Sequence, residues 1–325
     1  MALVKSMSNK TITKNFAFVI SFVVFSFLTN ACSPVSSQKE NNKNNSANQI
    51  SKNYSEPKIV GEIDTKEIKE SSGLAASKCT PDVFWTHNDS GDDAFIFAIN
   101  SNGKKLATYK VTNSENTDWE DIAAFKDQNG ECFLFIGNIG NNARARGEHS
   151  IYKVKEPTEF SNDSGKKNPQ TTEAAEEIKF TYPDIRHDAE TLLVHPQTGD
   201  IYVISKRLTG EAGVYKLKAN HDKSKTNKLE KIADITVPSV PNGLLTGGDI
   251  SPDGQRVVVC DYFAAYEFIL PEKSKNFDDI WKEIPQKIEL GMREQGEAIG
   301  YSADGNSIFA TSEKKDSPMI EVRRK

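Results

Sequence analysis

Five times along this chain an apolar stretch runs into a tight turn and returns as a second apolar strand. The copies begin at "SGLAAS" (72–77), "EDIAAF" (120–125), "ETLLVH" (190–195), "GDISPD" (248–253) and "EAIGYS" (297–302), each with an aliphatic residue third. Turns such as "SPDGQR" and "SADGNS" carry Asp-Gly, whose glycine supplies the positive φ that a tight hairpin needs. A third strand follows in most copies and a fourth, more polar one often precedes the next anchor, as "KLATYKV" (105–111) and "PQKIELG" (285–291) do. Anchors spaced 48, 70, 58 and 49 residues apart suit a four-stranded antiparallel unit with one long insertion. Such units arrayed radially make a β-propeller.

The last copy runs out of chain after its third strand, while "KIVGEID" (58–64) stands spare ahead of the first anchor. That spare strand completes the last blade and closes the ring. The expectation is therefore an all-β propeller of five four-stranded blades over residues 56–325, with a sixth blade hidden in 156–187 as the alternative. Nothing in the chain sustains a helical period. At 37% hydrophobic and 27% charged, 325 residues suffice to bury a core of that size.

Residues 1–31 read as an export signal of the lipoprotein type. Lys5, Lys10 and Lys14 precede an apolar run of 13 residues (16–28). In a helix that run covers roughly 20 Å, too short for a hydrocarbon core of roughly 30 Å. Ala31 before Cys32 resembles a lipobox, so Cys32 is the expected lipidation site, with simple secretion as the alternative. The polar, Asn-rich stretch 32–55 has little to bury and reads as a flexible tether. The protein is expected to be exported, membrane-anchored in a bacterial cell envelope, and monomeric. Loss of the signal takes the net charge from −5 to −8, which argues against nucleic acid and permits cations.

Propeller topology places the remaining motifs. First strands line the channel, and the loops entering them share one face with the loops joining second to third strands. That face collects Asp118, Glu120, Asp121, Asp188, Glu190, Asp249 and Glu297. Crowded carboxylates raise one another's pKa unless a cation compensates, and oxygen-rich, histidine-poor loops suit Ca2+. Two readings stand: these side chains cap strand ends, or they hold Ca2+. Arg144, Arg146, Arg186, Lys206, Arg207 and Arg293 either neutralise the carboxylates or meet an anionic ligand. Trp119, Tyr262 and Phe263 either pack in the core or stack on a ligand. His87 and His187 are the loop histidines nearest the mouth, and His195 falls in a far-side turn, where solvation is expected. No nucleophile-elbow, zinc-protease or phosphate-loop pattern occurs. Cys79 and Cys132 fall at first-hairpin turns of adjacent blades and are expected to pair, leaving Cys260 buried and free.

The motifs "SSGLAAS", "WTHNDSG", "DWEDIA", "IGNIGNN", "IYKVKEP", "HDAETLLVHPQTGDIYVISK" and "GEAIGYSADG" resemble a bacterial group of β-propellers related to the phytase-like and "esterase-like activity of phytase" families. The resemblance covers most of 58–325 and implies a Ca2+-associated propeller. By matching position it puts Asn88, Asp89, Asp118, Glu120, Asp121, Asp188 and Glu190 at the mouth. Where the group reads Asp-Ile-Gly-Asp-Asn, this chain has Asn138, Ile139, Gly140, Asn141 and Asn142, so that loop carries less charge. Asn88, Asp89, Trp119, Asn138, Asn141, Asn142, Arg144, Lys206 and Arg207 are the expected ligand-binding set. Three functions fit: a tethered propeller that binds a small anionic ligand or a protein, a Ca2+-dependent phosphoesterase, and a structural envelope protein.

Overall fold

The computed structural model describes residues 50–325. The signal segment, Cys32 and the tether up to residue 49 lie outside the described residues. Alternating apolar side chains pack both faces of each inner strand, and five sheets result. From the channel outward, blade 1 is Ser71–Ala76, Phe84–Asn88, Phe95–Ile99 and Lys105–Thr112. Blade 2 is Asp121–Lys126, Cys132–Asn138, His149–Lys155 and Glu176–Thr181. Blade 3 is Ala189–Val194, Ile201–Ser205, Ala212–Leu217 and Glu230–Ile235. Blade 4 is Gly247–Ile250, Arg256–Cys260, Ala264–Ile269 and Gln286–Glu289. Blade 5 is Ile299–Tyr301, Ser307–Ala310 and Pro318–Arg323, completed by the N-terminal strand Lys58–Glu62.

Each first strand touches the first strands of both neighbouring blades, so the ring is closed. Five apolar clusters fill the five junctions. Trp85, Tyr109, Trp119 and Ile136 join blades 1 and 2, for example, and Leu74, Phe84, Phe97 and Phe309 join blades 1 and 5. The far-face hairpins turn where expected, with Gly254 at φ 69° and Gly305 at φ 70°.

The region 156–187 holds no sixth blade. It contributes the fourth strand of blade 2 and a short strand, Gln170–Ala174, that runs parallel along the outer edge of blade 1. Its sequence is too polar to build a buried inner strand, and an added edge strand needs only one neighbour. Blade 2 gains a similar parallel addition, Asn227–Lys228.

The chain is already part of the propeller at Ile50. The Ser51 N–H donates to the Lys287 carbonyl at 2.7 Å on the outer edge of blade 4. Tyr54 is buried, and its hydroxyl donates to Glu267 at 2.5 Å, where the Tyr301 hydroxyl also donates at 2.8 Å. Ile50 forms a parallel bridge with Lys287 in the fourth strand of blade 4.

A Cys79–Cys132 disulfide links blades 1 and 2 on the far face, and Cys260 is buried and free. The bridge spans 53 residues of chain, and closing a loop of that length restricts the unfolded state. Cys79 is exposed, so Cys79→Ser removes the cross-link without opening a cavity. The expected cost is about 3 kcal/mol, or roughly 6 °C in the unfolding midpoint. A thermal scan of the variant beside the parent checks it.

Candidate functional site

Neighbouring residues of a strand face opposite ways, and this rule divides the carboxylates of the anchors. The first anchor position holds Ser72, Glu120, Glu190, Gly248 and Glu297. These face the channel: the Ser72 hydroxyl lies 2.8 Å from the Glu120 carbonyl and 3.5 Å from the Glu297 carboxylate. The next position holds Gly73, Asp121, Thr191, Asp249 and Ala298, which face the junctions between blades.

Asp121 and Asp249 are therefore not metal ligands. Asp121 accepts the N–H of Ile122 at 2.8 Å and, across the junction, that of Leu192 in blade 3 at 2.9 Å. Asp249 repeats the arrangement, accepting Ile250 at 2.8 Å and Tyr301 in blade 5 at 2.9 Å. Each carboxylate clamps two blades by accepting backbone N–H groups along the open inner edges of their innermost strands. The capping reading holds for these two.

The others converge. One carboxylate oxygen from each of Asp89, Asp118 and Glu120 lies within 4.8 Å of the other two. Asp89 comes from the loop after the second strand of blade 1, and Asp118 from the loop entering blade 2. Gly140 allows the "IGNIGNN" loop to lie against them: a Cβ there would sit 2.0 Å from Glu120 Oε1 and 2.6 Å from Asp118 Cγ. Asp188 is buried nearby and accepts the Asn141 N–H at 2.7 Å.

Burial and mutual repulsion raise the pKa of Asp89, Asp118 and Glu120. Glu190 is pushed up to about 8 by burial and nearby acids, although Lys206 pairs with it. Burial and the Glu190 charge also raise Glu297, as does the neighbouring Glu313, a carboxyl group the sequence reading left out. Burial alone would lower Lys206, but Glu190 holds its ammonium above the ordinary lysine range. Among the described residues Lys206 is the one basic side chain paired with these acids. Glu190 Oε2 is buried with no hydrogen-bond partner.

Most of the expected ligand-binding set has other work. Trp119 is fully buried and its indole N–H donates to the Glu115 carbonyl at 3.0 Å, so it stacks on nothing in the channel. Asn88 accepts the Lys69 and Glu70 N–H groups and donates to Glu67 and Asp92. Asn138 accepts from Asp118 and Arg146, and Asn141 is spent on Arg146 and His187 backbone. These three amides shape the loops that carry the carboxylates. Asn142 and Arg144 are exposed, and Arg207 pairs through its backbone with Gly243.

The arginines divide likewise. Arg146 donates to the Asn138 and Gly140 carbonyls, Arg293 to those of Thr311 and Asp261, and the exposed Arg186 to that of Ala145. Tyr262 is half-buried beside Lys206, whose ammonium lies 5.5 Å from its ring centre. His87 is fully buried, which drops its pKa to about 4. His187 bonds Asp184 at 2.9 Å and the Tyr215 hydroxyl at 2.7 Å. His195 is buried rather than solvated, with its ring 4.4 Å from that of Phe277 in the short 3-10 helix Phe277–Lys282. The insertion of that helix covers the turn.

The raised carboxyl groups set a pH dependence. Their protonated forms stabilise the fold fully below the ordinary glutamate value, and that contribution is lost as pH rises through about 8 for Glu190. Without divalent cation, the unfolding midpoint is expected to fall from about pH 4.5 to about pH 8, the window between glutamate's ordinary pKa and the raised Glu190 value. A bound cation replaces the protons and offsets that fall. Thermal scans across this range, in chelator and in Ca2+, measure both slopes.

No family model matches the chain, and no curated protein sequence matches it. Among solved structures, hydrazine synthase of Kuenenia stuttgartiensis aligns over 80% of this chain and 97% of its own, at 8% identity and a TM-score of 0.42. That similarity assigns no family and no activity to this chain.

Proposed function

We propose that the protein is a monomeric, extracytoplasmic β-propeller, anchored to a membrane through a lipid on Cys32, whose channel mouth holds Ca2+ and binds a ligand there. The convergence of Asp89, Asp118 and Glu120 carries this reading. Three hard oxygen donors with raised pKa values suit a divalent cation, and Ca2+ accepts the remaining oxygens from backbone, water or ligand. The buried, unpartnered Glu190 Oε2 adds a further acceptor in the same channel. The likeness of "WTHNDSG" and "DWEDIA" to phytase-like propellers supports the same cation.

Binding is favoured over phosphoester hydrolysis because the bases near the acids are engaged within the protein: Arg146 and Arg293 donate to backbone carbonyls, and Lys206 is ion-paired with Glu190. The test is the unfolding midpoint in Ca2+, in Mg2+ and in chelator, run beside a phosphomonoester assay. Ca2+ at about a hundred times its dissociation constant adds roughly 3 kcal/mol. Equal midpoints in all three would refute the cation site, and Ca2+-dependent turnover would make the protein an enzyme instead.

A further inference from the structure

The junctions between blades repeat one another, and the one between blades 5 and 1 lacks side chains that fill its neighbour. In blade 4, Glu267 of the third strand pairs with Val258 of the second and faces blade 5. In blade 5, Glu321 pairs with Phe309 in the same register and faces blade 1. Both carboxylates are buried, and each has one arginine, Arg256 at 3.8 Å from Glu267 and Arg323 at 3.0 Å from Glu321. Glu267 also accepts two phenol hydroxyls, Tyr54 at 2.5 Å and Tyr301 at 2.8 Å. Glu321 accepts none among the described residues. Its bonds, from the Ser307 hydroxyl at 2.9 Å and from Arg323, both end on Oε1.

Ala76 occupies the anchor position of Tyr301, and Ser307 the strand position of Arg256. These small side chains leave a cavity of about 500 Å3 on the far face, lined by Ala76, Phe84, Phe309 and Glu321 and bordered by the exposed Pro81 and Arg324. Its floor is apolar, with the Phe84 and Phe309 ring centres 4.7 Å apart. Glu321, 8% exposed, stands at its wall with one oxygen unbonded among the described residues. The chain shows what fills such a space next door. Tyr54 belongs to a segment held against blades 4 and 5 by backbone bonds, Ser51 N–H to the Lys287 carbonyl and Ser55 N–H to that of Arg323. Its ring packs among Val258, Ile288 and Tyr301.

We propose that the far-face cavity between blades 5 and 1 docks an extended segment of another protein, which inserts a tyrosine: the ring lies on Phe84 and Phe309 and the hydroxyl donates to Glu321. The Tyr54 precedent and hydrogen-bond complementarity select this occupant. A phenol joins an apolar ring to one donor, as the floor and the unbonded oxygen require. A lysine or arginine would instead bring a second cation to Arg323, which already holds Glu321. A second copy of this chain has no tyrosine to offer, because eight of its nine are buried and Tyr262 is half-buried beside Lys206. The cavity is distinct from Asp89, Asp118 and Glu120, and docking stands whether or not those residues hold a cation.

Selection of a random dodecapeptide display library on the purified protein tests it, keeping the peptides that Ala76→Tyr fails to bind. That variant fills the cavity as Tyr301 fills the next junction. The retained peptides are expected to share a tyrosine, and synthetic copies should lose affinity about tenfold or more when it becomes phenylalanine. Glu321→Met, which keeps the volume and removes the acceptor, should abolish the preference for tyrosine over phenylalanine even if Ala76→Tyr does not fold. Glu173→Gln, an exposed carboxylate on the edge strand of blade 1, should leave affinity unchanged. No retained peptide, peptides without a shared tyrosine, or a tyrosine preference intact in Glu321→Met overturns the proposal. So does 4-methylphenol binding as tightly as the peptides, which would make the occupant a small phenol, or a dimer in sedimentation that Ala76→Tyr dissociates.

Discussion

Asp121→Ala lowers the stability of the propeller by about 4 kcal/mol, because it strands two buried backbone N–H groups at roughly 1–3 kcal/mol each. The donors are Ile122 and Leu192, in the innermost strands of blades 2 and 3. Neither can turn to water, since both residues are buried. For a domain of this size the unfolding midpoint falls by roughly 8 °C. Asp249→Ala does the same between blades 4 and 5. Thr191 occupies the equivalent position in blade 3, but its buried hydroxyl has no partner, so Thr191→Val is neutral or stabilising. Equal losses at all three positions would mean that packing volume, rather than the clamp, is at stake. Because Asp121 stands apart from Asp89, Asp118 and Glu120, the proposed response to Ca2+ is expected to survive in folded Asp121→Ala.

Gly140→Ala abolishes that response. The added methyl group would occupy the position of Glu120 Oε1 and crowd Asp118, so either the loop lifts or the carboxylates part. In both cases the three oxygens no longer meet within 4.8 Å. The stabilisation by Ca2+, roughly 3 kcal/mol near saturation, should then vanish while the circular dichroism spectrum stays that of the parent. Gly147→Ala is the control in the same loop, since its nearest neighbour would be 3.7 Å away. A Ca2+ response preserved in Gly140→Ala would place the cation elsewhere.

The five anchors, their hairpins and the closing strand are legible in the sequence because a strand's period of 2 and the Asp-Gly turns are local signals. The same period separates Glu120 from Asp121, although counting carboxylates before each strand placed both at the mouth. One residue of register sends Glu120 to the channel and Asp121 to the junction. Trp119 and the loop asparagines misled for another reason: their partners, Glu115, Arg146 and His187, are set by loop conformation rather than by any pattern. Glu313 lies in "TSEKKD", a mouth loop between the second and third strands of blade 5, so a count of carboxylates ahead of the first strands passes over it, although the closed ring brings it to Glu297. The edge strands Gln170–Ala174 and Asn227–Lys228 are polar and short, so no periodicity marks them.

The central claim is that the mouth holds a divalent cation, and a crystal grown with Ca2+ and then soaked in a terbium salt tests it most directly. The account predicts an anomalous peak within bonding distance of Asp89, Asp118 and Glu120. A mouth without a peak, its carboxyl groups hydrogen-bonded to one another instead, would contradict it.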